Sequence, residues 1–427
     1  MRPTRSEFDD AWPRVVRALA SFTGSLDEAE EYAAEAVARA AAHDGHIDSF
    51  AAWCTAVAKR AWVDETRRRA VERRLAPTLL PPETDPTEAT WRAMATPELP
   101  DDAPDSGFGD DLDDRVALLF VACDDALTPS SQMVLALRVV CGLSVPEIAH
   151  HLGLQNAATA ARLTRAKKAL AQARGEFRVP GRAEAKTRLP VVLACVAGMF
   201  TVAHRTSLDP ATAFDDTGAQ SLSIADSLVR AFPDDPEVRG LRAVIRLGLA
   251  RRSARLDDSG TALPLDEVDR SLWDRGLLAA GLTDATFATR GSGRFAIQAA
   301  IAGLHSSPSS FDDTDWSQVV SLYHALEGVW PAPSVRVARL AATAHGILAG
   351  TLPTDSDAGT SLERVEDELA DLEADSATYA SRDASLTLAD IAWRTGRRKA
   401  AGRRYRELAE IMPTEALRRF CLRRASP

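Results

Sequence analysis

The sequence is short of the residues on which many active sites and secreted folds depend. Its five cysteines, Cys54, Cys123, Cys141, Cys195 and Cys421, are an odd number with no C-x-x-C pair. That excludes a zinc ribbon or a disulfide framework and points to reduced thiols. The eight histidines are scattered, and the adjacent pair His150-His151 has no third ligand at metal spacing. Neither a Gly-rich phosphate loop nor a nucleophile beside a base occurs, so no catalysis, cofactor or metal is expected. Long apolar runs are missing too. The longest, Leu189 to Ala203, contains Pro190 and falls short of the roughly 20 residues a membrane helix needs. The N-terminal MRPTRSEFDDAW lacks a signal-peptide core. A cytoplasmic protein without membrane contact is expected.

Period-two alternation is also almost absent, whereas apolar residues recur at three and four along most of the 427 residues, which predicts an all-α fold. Residues 5–75 form one helical unit, in which Ser25 and Glu28 stand as a capping box. Residues 76–112 hold seven prolines and read as a flexible linker. Residues 113–180 form a second, smaller helical unit, and residues 189–427 a long helical array. Near its end, Ile391, Gly396, Ala400, Tyr405, Leu408, Ala409 and Pro413 stand roughly where a tetratricopeptide repeat carries small, aromatic and terminal proline residues. Such arrays either present surfaces to partners or simply pack.

The formal net charge of −10 argues against a polyanionic partner, but its distribution reverses that reading. Residues 76–114 alone sum to −10, whereas 59–74 sum to +4 and 159–188 to +7. Two basic patches flanking an acidic, proline-rich spacer suit two modules that touch one nucleic acid.

The stretch Leu143 to Ala173 is the most informative. Ser144 and Glu147 make an S-x-x-E box with Pro146 in the first turn, and Val145, Ile148, Ala149 and Leu152 form an apolar stripe. Gly153 permits the left-handed turn of a helix-turn-helix, and Asn156 is placed to cap the second helix. At 100° per residue, Leu163, Ala166 and Leu170 point inward, while Ala158, Ala161, Arg162, Arg165 and Lys168 share the outer face. That face suits a DNA major groove. In the first patch, Phe50, Trp53, Val57 and Trp62 interleave with Lys59, Arg60, Arg67, Arg68 and Arg69. Such a mixture suits an unpaired strand, with rings on bases and cations on phosphates; the tryptophans could equally be core.

These residues resemble the extracytoplasmic-function sigma factors, in particular the group with a long C-terminal helical extension. AEEYAAEAVARA at 29–40 is similar to the polymerase-binding helix of sigma region 2, and WCTAVAKRAWVDETRRR at 53–69 to the segment that opens the −10 element. LTP, LRVVCGLS, EIA and RLTRAK together resemble region 4, the reader of the −35 element. VDRSLWDRGL, AIQAAIAGLH and TDWSQVVSLYHAL are similar to strings of that group's extension. The resemblance implies a non-enzymatic factor whose partners are core RNA polymerase and promoter DNA. Glu31 and Glu35 would face polymerase; Lys59, Arg60, Trp62, Arg67, Arg68 and Arg69 the −10 element; Arg162, Arg165 and Lys168 the −35 element. The C-terminal array would regulate, through an intramolecular contact or a protein partner. Ala34, Val37, Arg60, Ala158 and Ala161 depart from the family's usual residues. The two pairs of small or apolar residues, Ala34 with Val37 and Ala158 with Ala161, favour the competing function, a sigma-like regulator that works through protein contacts without reading promoters.

Overall fold

The computed structural model describes residues 4–75, 108–206, 215–352, 361–375 and 378–426. The fold is all-α, as the periodicity predicts; most of the expected linker, residues 76–107, lies outside the described residues. The chain divides into two compact units, 1–195 and 196–427.

In the first unit, α1 (Arg5–Thr23), α2 (Leu26–Ala41) and α3 (Phe50–Leu75) pack on one another. Thr4 and Glu7 form a capping box that starts α1, and Gly24, at φ 73°, ends it in the left-handed conformation. Ser25 caps α2 as expected, accepting from the Glu28 amide at 3.3 Å. The Glu28 carboxylate does not return the bond, because it accepts from the Trp62 indole at 2.8 Å and so ties α2 to α3. Buried alanines, Ala29, Ala33 and Ala36 on α2 with Ala58 on α3, are short enough for the three helices to approach closely.

The next elements are α4 (Phe108–Asp111), α5 (Asp114–Ala122), α6 (Pro129–Val139), α7 (Val145–Leu152), α8 (Asn156–Arg174) and α9 (Arg182–Thr206), which crosses the division between units. Every residue of α5 from Val116 to Ala122 is buried, which makes it the central helix of the unit. Arg17 of α1 anchors the entry to this half, donating to the carbonyls of Gly109 and Leu112 at 2.7 Å each and to Asp114 at 3.0 Å. Gly142 sits at φ 66°, and a Cβ there would lie 2.8 Å from the Phe8 ring. Only glycine serves both the turn and this approach.

Two charge clusters complete the unit. Glu30, 5% exposed, is paired with Arg138 of α6, whose Nε donates at 2.6 Å, and with Lys167 of α8. Burial alone would lower the Lys167 pKa, but Glu30 and Asp27 outweigh it and hold the ammonium above its ordinary value. Asp124, 2% exposed, accepts from Arg174 at 2.8 and 3.1 Å and pairs with Arg188 of α9 at 2.7 Å. Burial opposes its ionisation, yet Arg174, the Ala126 amide and Arg188 together hold its pKa below the usual value.

The second unit contains α10 (Asp215–Ala231), α11 (Pro236–Ala250), α12 (Arg275–Ala288), α13 (Arg294–Ser306), α14 (Trp316–Val329), α15 (Pro333–Leu348), α16 (Leu362–Asp375), α17 (Thr378–Arg394), α18 (Arg398–Ile411) and α19 (Glu415–Ala425). Each packs on the next in sequence, and α11 and α15 also reach the next but one, while the connection between α11 and α12 meets the last helices, where the Ala262 amide donates to the Ala416 carbonyl at 3.1 Å. Arg242 grips buried Asp284 through two 2.8 Å bonds, and Arg246 adds a third at 2.8 Å; both arginines also hold Asp226 at 2.9 Å. Helix α13 starts at Gly293, which has no capping side chain, and Glu237 of α11 supplies the cap by accepting from the Phe295 and Ala296 amides at 2.9 Å. Trp273 and Trp316 are buried, whereas Asp269 is an exposed cap of the short 3-10 turn Arg270–Leu272. Ile391, Tyr405, Leu408 and Ala409 are all buried.

The Asp124 cluster predicts an acid sensitivity of known sign. Because its folded-state pKa is depressed, its stabilisation is fully present above the ordinary aspartate value of about 3.9 and is lost as pH falls through the lower folded value. Asp124→Asn should lower the unfolding free energy by about 1–3 kcal/mol at pH 7, because Arg188 keeps only Glu184 and Arg174 only Asp125 as close carboxylate partners. It should also flatten the loss of stability in acid, as read by urea unfolding from pH 7 down to pH 2.5.

Candidate nucleic-acid interface

The helix-turn-helix is built as its sequence specifies, with one difference. Ser144 accepts from the Glu147 amide at 3.4 Å and donates its own amide to the Glu147 carboxylate at 2.7 Å, which closes the capping box of α7. Gly153 ends α7 at φ 64° in the left-handed conformation. Helix α8 begins one residue earlier than expected. Gln155 occupies the N-cap without a side-chain bond, and Asn156 is the first helical residue. The extended backbone at Gln155, φ −82° and ψ 144°, identifies the cap, and Asn156 already lies inside the helical turn.

Leu163, Ala166 and Leu170 of α8 are buried, together with Thr159. The opposite face carries Ala158, Ala161, Arg165 and Lys168, all exposed, and half-buried Arg162. Among the described residues, Arg162, Arg165 and Lys168 have no carboxylate within ion-pair distance. Their neighbour Lys167, 100° around the helix, points the other way onto Glu30 and Asp27. One turn of helix thus separates cations that hold the fold from cations that face out.

The first patch is more heavily used by the protein itself. Helix α3 presents Arg60, Arg67, Arg68 and Arg69 as exposed residues, with Lys59 and Trp62 half-buried. Arg68 and Arg69 both turn to Glu65, Arg69 at 2.9 Å, and Arg69 lies 3.6 Å from Glu28. Trp62 donates to Glu28 and meets Phe22 edge-on at 5.2 Å, while Lys59 sits 4.8 Å over that same ring. Arg60 and Arg67, seven residues apart and therefore on one side of α3, have no ion pair among the described residues. Trp53 is half-buried against His43, 5.5 Å between ring centres. On α2, Glu31 and Glu35 are exposed one turn apart, and Glu35 pairs with Arg39 at 2.6 Å. Sequence reasoning missed Glu30 and Lys167 as a pair. Both were visible as charged residues on helices, but their meeting depends on how α2 and α8 cross.

Residues 118–170 match the family model for sigma-70, region 4, and residues 188–288 match a family of unknown function (DUF6596). The helix-turn-helix therefore has a sigma-factor-like DNA-binding role in transcription. The chain is also 34% identical over 337 residues to an uncharacterized protein of Rhizobium meliloti (strain 1021), covering 78% of this chain and 77% of that protein. No solved structure matches. Among the described residues no helix is long and apolar enough to cross a membrane.

The contrast between adjacent lysines is testable. Lys167→Ala should leave the buried Glu30 carboxylate with Arg138 as its remaining partner and lower stability by about 1–3 kcal/mol. Lys168→Ala should stay within about 0.5 kcal/mol of the parent. Denaturant unfolding of the two variants side by side measures the difference, and equal losses would contradict the inward assignment of Lys167.

Proposed function

The chain belongs to the same family as that Rhizobium meliloti protein and carries a sigma-70 region 4 domain, and on this premise we propose that it is a sigma factor of the extracytoplasmic-function type. It binds core RNA polymerase and directs initiation at promoters with two elements. The observation that carries this reading is the outward face of α8, where Arg162, Arg165 and Lys168 stand without carboxylate partners on a helix-turn-helix. Arginine in that position has the paired donors that grip guanine edges or phosphates. In this reading Arg60 and Arg67 of α3 neutralise the strand of the −10 element, and Trp62 joins them once Glu28 releases it. Glu31 and Glu35 form the polymerase contact. The C-terminal array, tetratricopeptide-like in its succession of hairpins, regulates the two promoter-reading modules.

A second reading rests on a specific observation: Glu65 neutralises Arg68 and Arg69, and Glu28 holds Trp62. A protein whose strand-opening patch stays occupied in this way would act by protein contacts without initiating transcription.

Transcription in a purified system separates them. Added to sigma-free core polymerase with fragmented genomic DNA of its host, the full chain should yield transcript starts that share two upstream elements. No specific starts, with active polymerase and folded protein, would favour the second reading. Arg165→Ala and Lys168→Ala should each reduce the salt dependence of DNA binding by about one phosphate contact, a slope change near 1 in log K against log salt.

A further inference from the structure

A cavity of about 390 Å³ opens in the second unit, lined by residues of α11, α13, α14 and α15. It brings together Arg251, Gln298, His305, Tyr323, Trp330 and Ser334. Arg251, the C-cap of α11, uses only its Nε within the protein, donating to the Leu247 carbonyl at 3.2 Å. Its two terminal nitrogens have no acceptor among the described residues, and the same holds for the Gln298 amide and the Tyr323 and Ser334 hydroxyls. The His305 Nδ1 is buried and lacks a hydrogen-bond partner.

Among the described residues, the titratable groups that face Arg251 are Arg255, Arg270, His305 and Tyr323, with no carboxylate. Arg270 is held by the carbonyls of His305 and Pro308 at 3.3 and 2.6 Å and adds like charge. Burial, followed by the nearby Arg251, His345 and Arg270, pushes His305 down to about 4, so the ring is neutral near pH 7. Burial raises the Tyr323 phenol, which stays protonated. Asp284, by contrast, is matched by Arg242 and Arg246. Here a guanidinium and several polar groups converge on open space beside an indole and a phenol.

We infer that this cavity is a receptor site for a small organic anion, which places one carboxylate or phosphate on the Arg251 fork and an aromatic body against Trp330 and Tyr323. The chemistry is that of oxyanion recognition by a paired-donor guanidinium, with the ring's surface buried in a partly apolar pocket of ordinary ligand-binding size. Gln298 and Ser334 supply the hydrogen bonds that orient the ligand. The inference stands apart from the promoter-reading proposal, because binding is measured on the purified chain with neither DNA nor polymerase present.

Isothermal titration of the full chain with indole-3-acetate and phenyl phosphate, against indole-3-acetamide, tests it. At least one anion should bind saturably and at least tenfold more tightly than the neutral amide, a comparison that needs no variant. Arg251→Gln should weaken that anion at least tenfold, and Ala338→Trp, which fills the cavity, should abolish binding while circular dichroism stays unchanged. Carboxylate and phosphate are distinguished by which of the two probes binds more tightly. Failure of both anions to bind, equal affinity for the amide, or unchanged binding by folded Arg251→Gln would each overturn the assignment.

Discussion

The first unit depends on one buried carboxylate. Glu30 sits on α2 with a side chain 6% exposed, and its charge is tolerable only because Arg138 and Lys167 arrive from α6 and α8. Because the two cations come from different helices, the first module and the helix-turn-helix constrain each other's position. Arg17 of α1 and Arg115 of α5 add more exposed ion pairs between those two helices, to Asp114 and Asp10 at 3.0 and 2.7 Å. The orientation of α8 follows from this. With Lys167 drawn inward beside Leu163, Ala166 and Leu170, the 100° step of the helix leaves Arg162, Arg165 and Lys168 no direction but outward.

The two basic patches differ in what the fold does with them. On α8 the cations that hold the structure and the cations that face solvent are separate residues. On α3 the same residues do both, since Glu65 collects Arg68 and Arg69 and Glu28 collects Trp62. Surface pairs of this kind are weak, typically below 1 kcal/mol, so a nucleic acid with many phosphates competes with them easily. A patch neutralised by its own helix is thus compatible with strand binding, though it starts from a lower positive potential than the face of α8.

The second unit follows a different economy of charge. Asp226 and Asp284 form a ladder with Arg242 and Arg246 across α10, α11 and α12, and Glu237 replaces a missing cap on α13. These contacts are non-local substitutes for local signals. They explain how helices with a glycine at the cap, such as α13, begin where they do. The Arg251 guanidinium, whose terminal nitrogens have no acceptor among the described residues, contrasts with these paired arginines.

The sequence by itself determined the fold class, the helix-turn-helix and its outward basic face, because these rest on periodicity, a capping box and a left-handed glycine, all local in the chain. The S-x-x-E box at Ser144 was legible and formed; the same pattern at Ser25 was legible and half formed, because Trp62, 34 residues away, took the Glu28 carboxylate. Tertiary structure alone decided which charges are spent inside. Lys167 and Lys168 are adjacent and chemically identical, and nothing in the chain separates them until α2 brings Glu30 to one and not the other. The same holds for Trp62 and for Arg251, whose roles depend on groups far away in sequence. A side chain's direction is set by its own helix, but its partner is set by how helices cross.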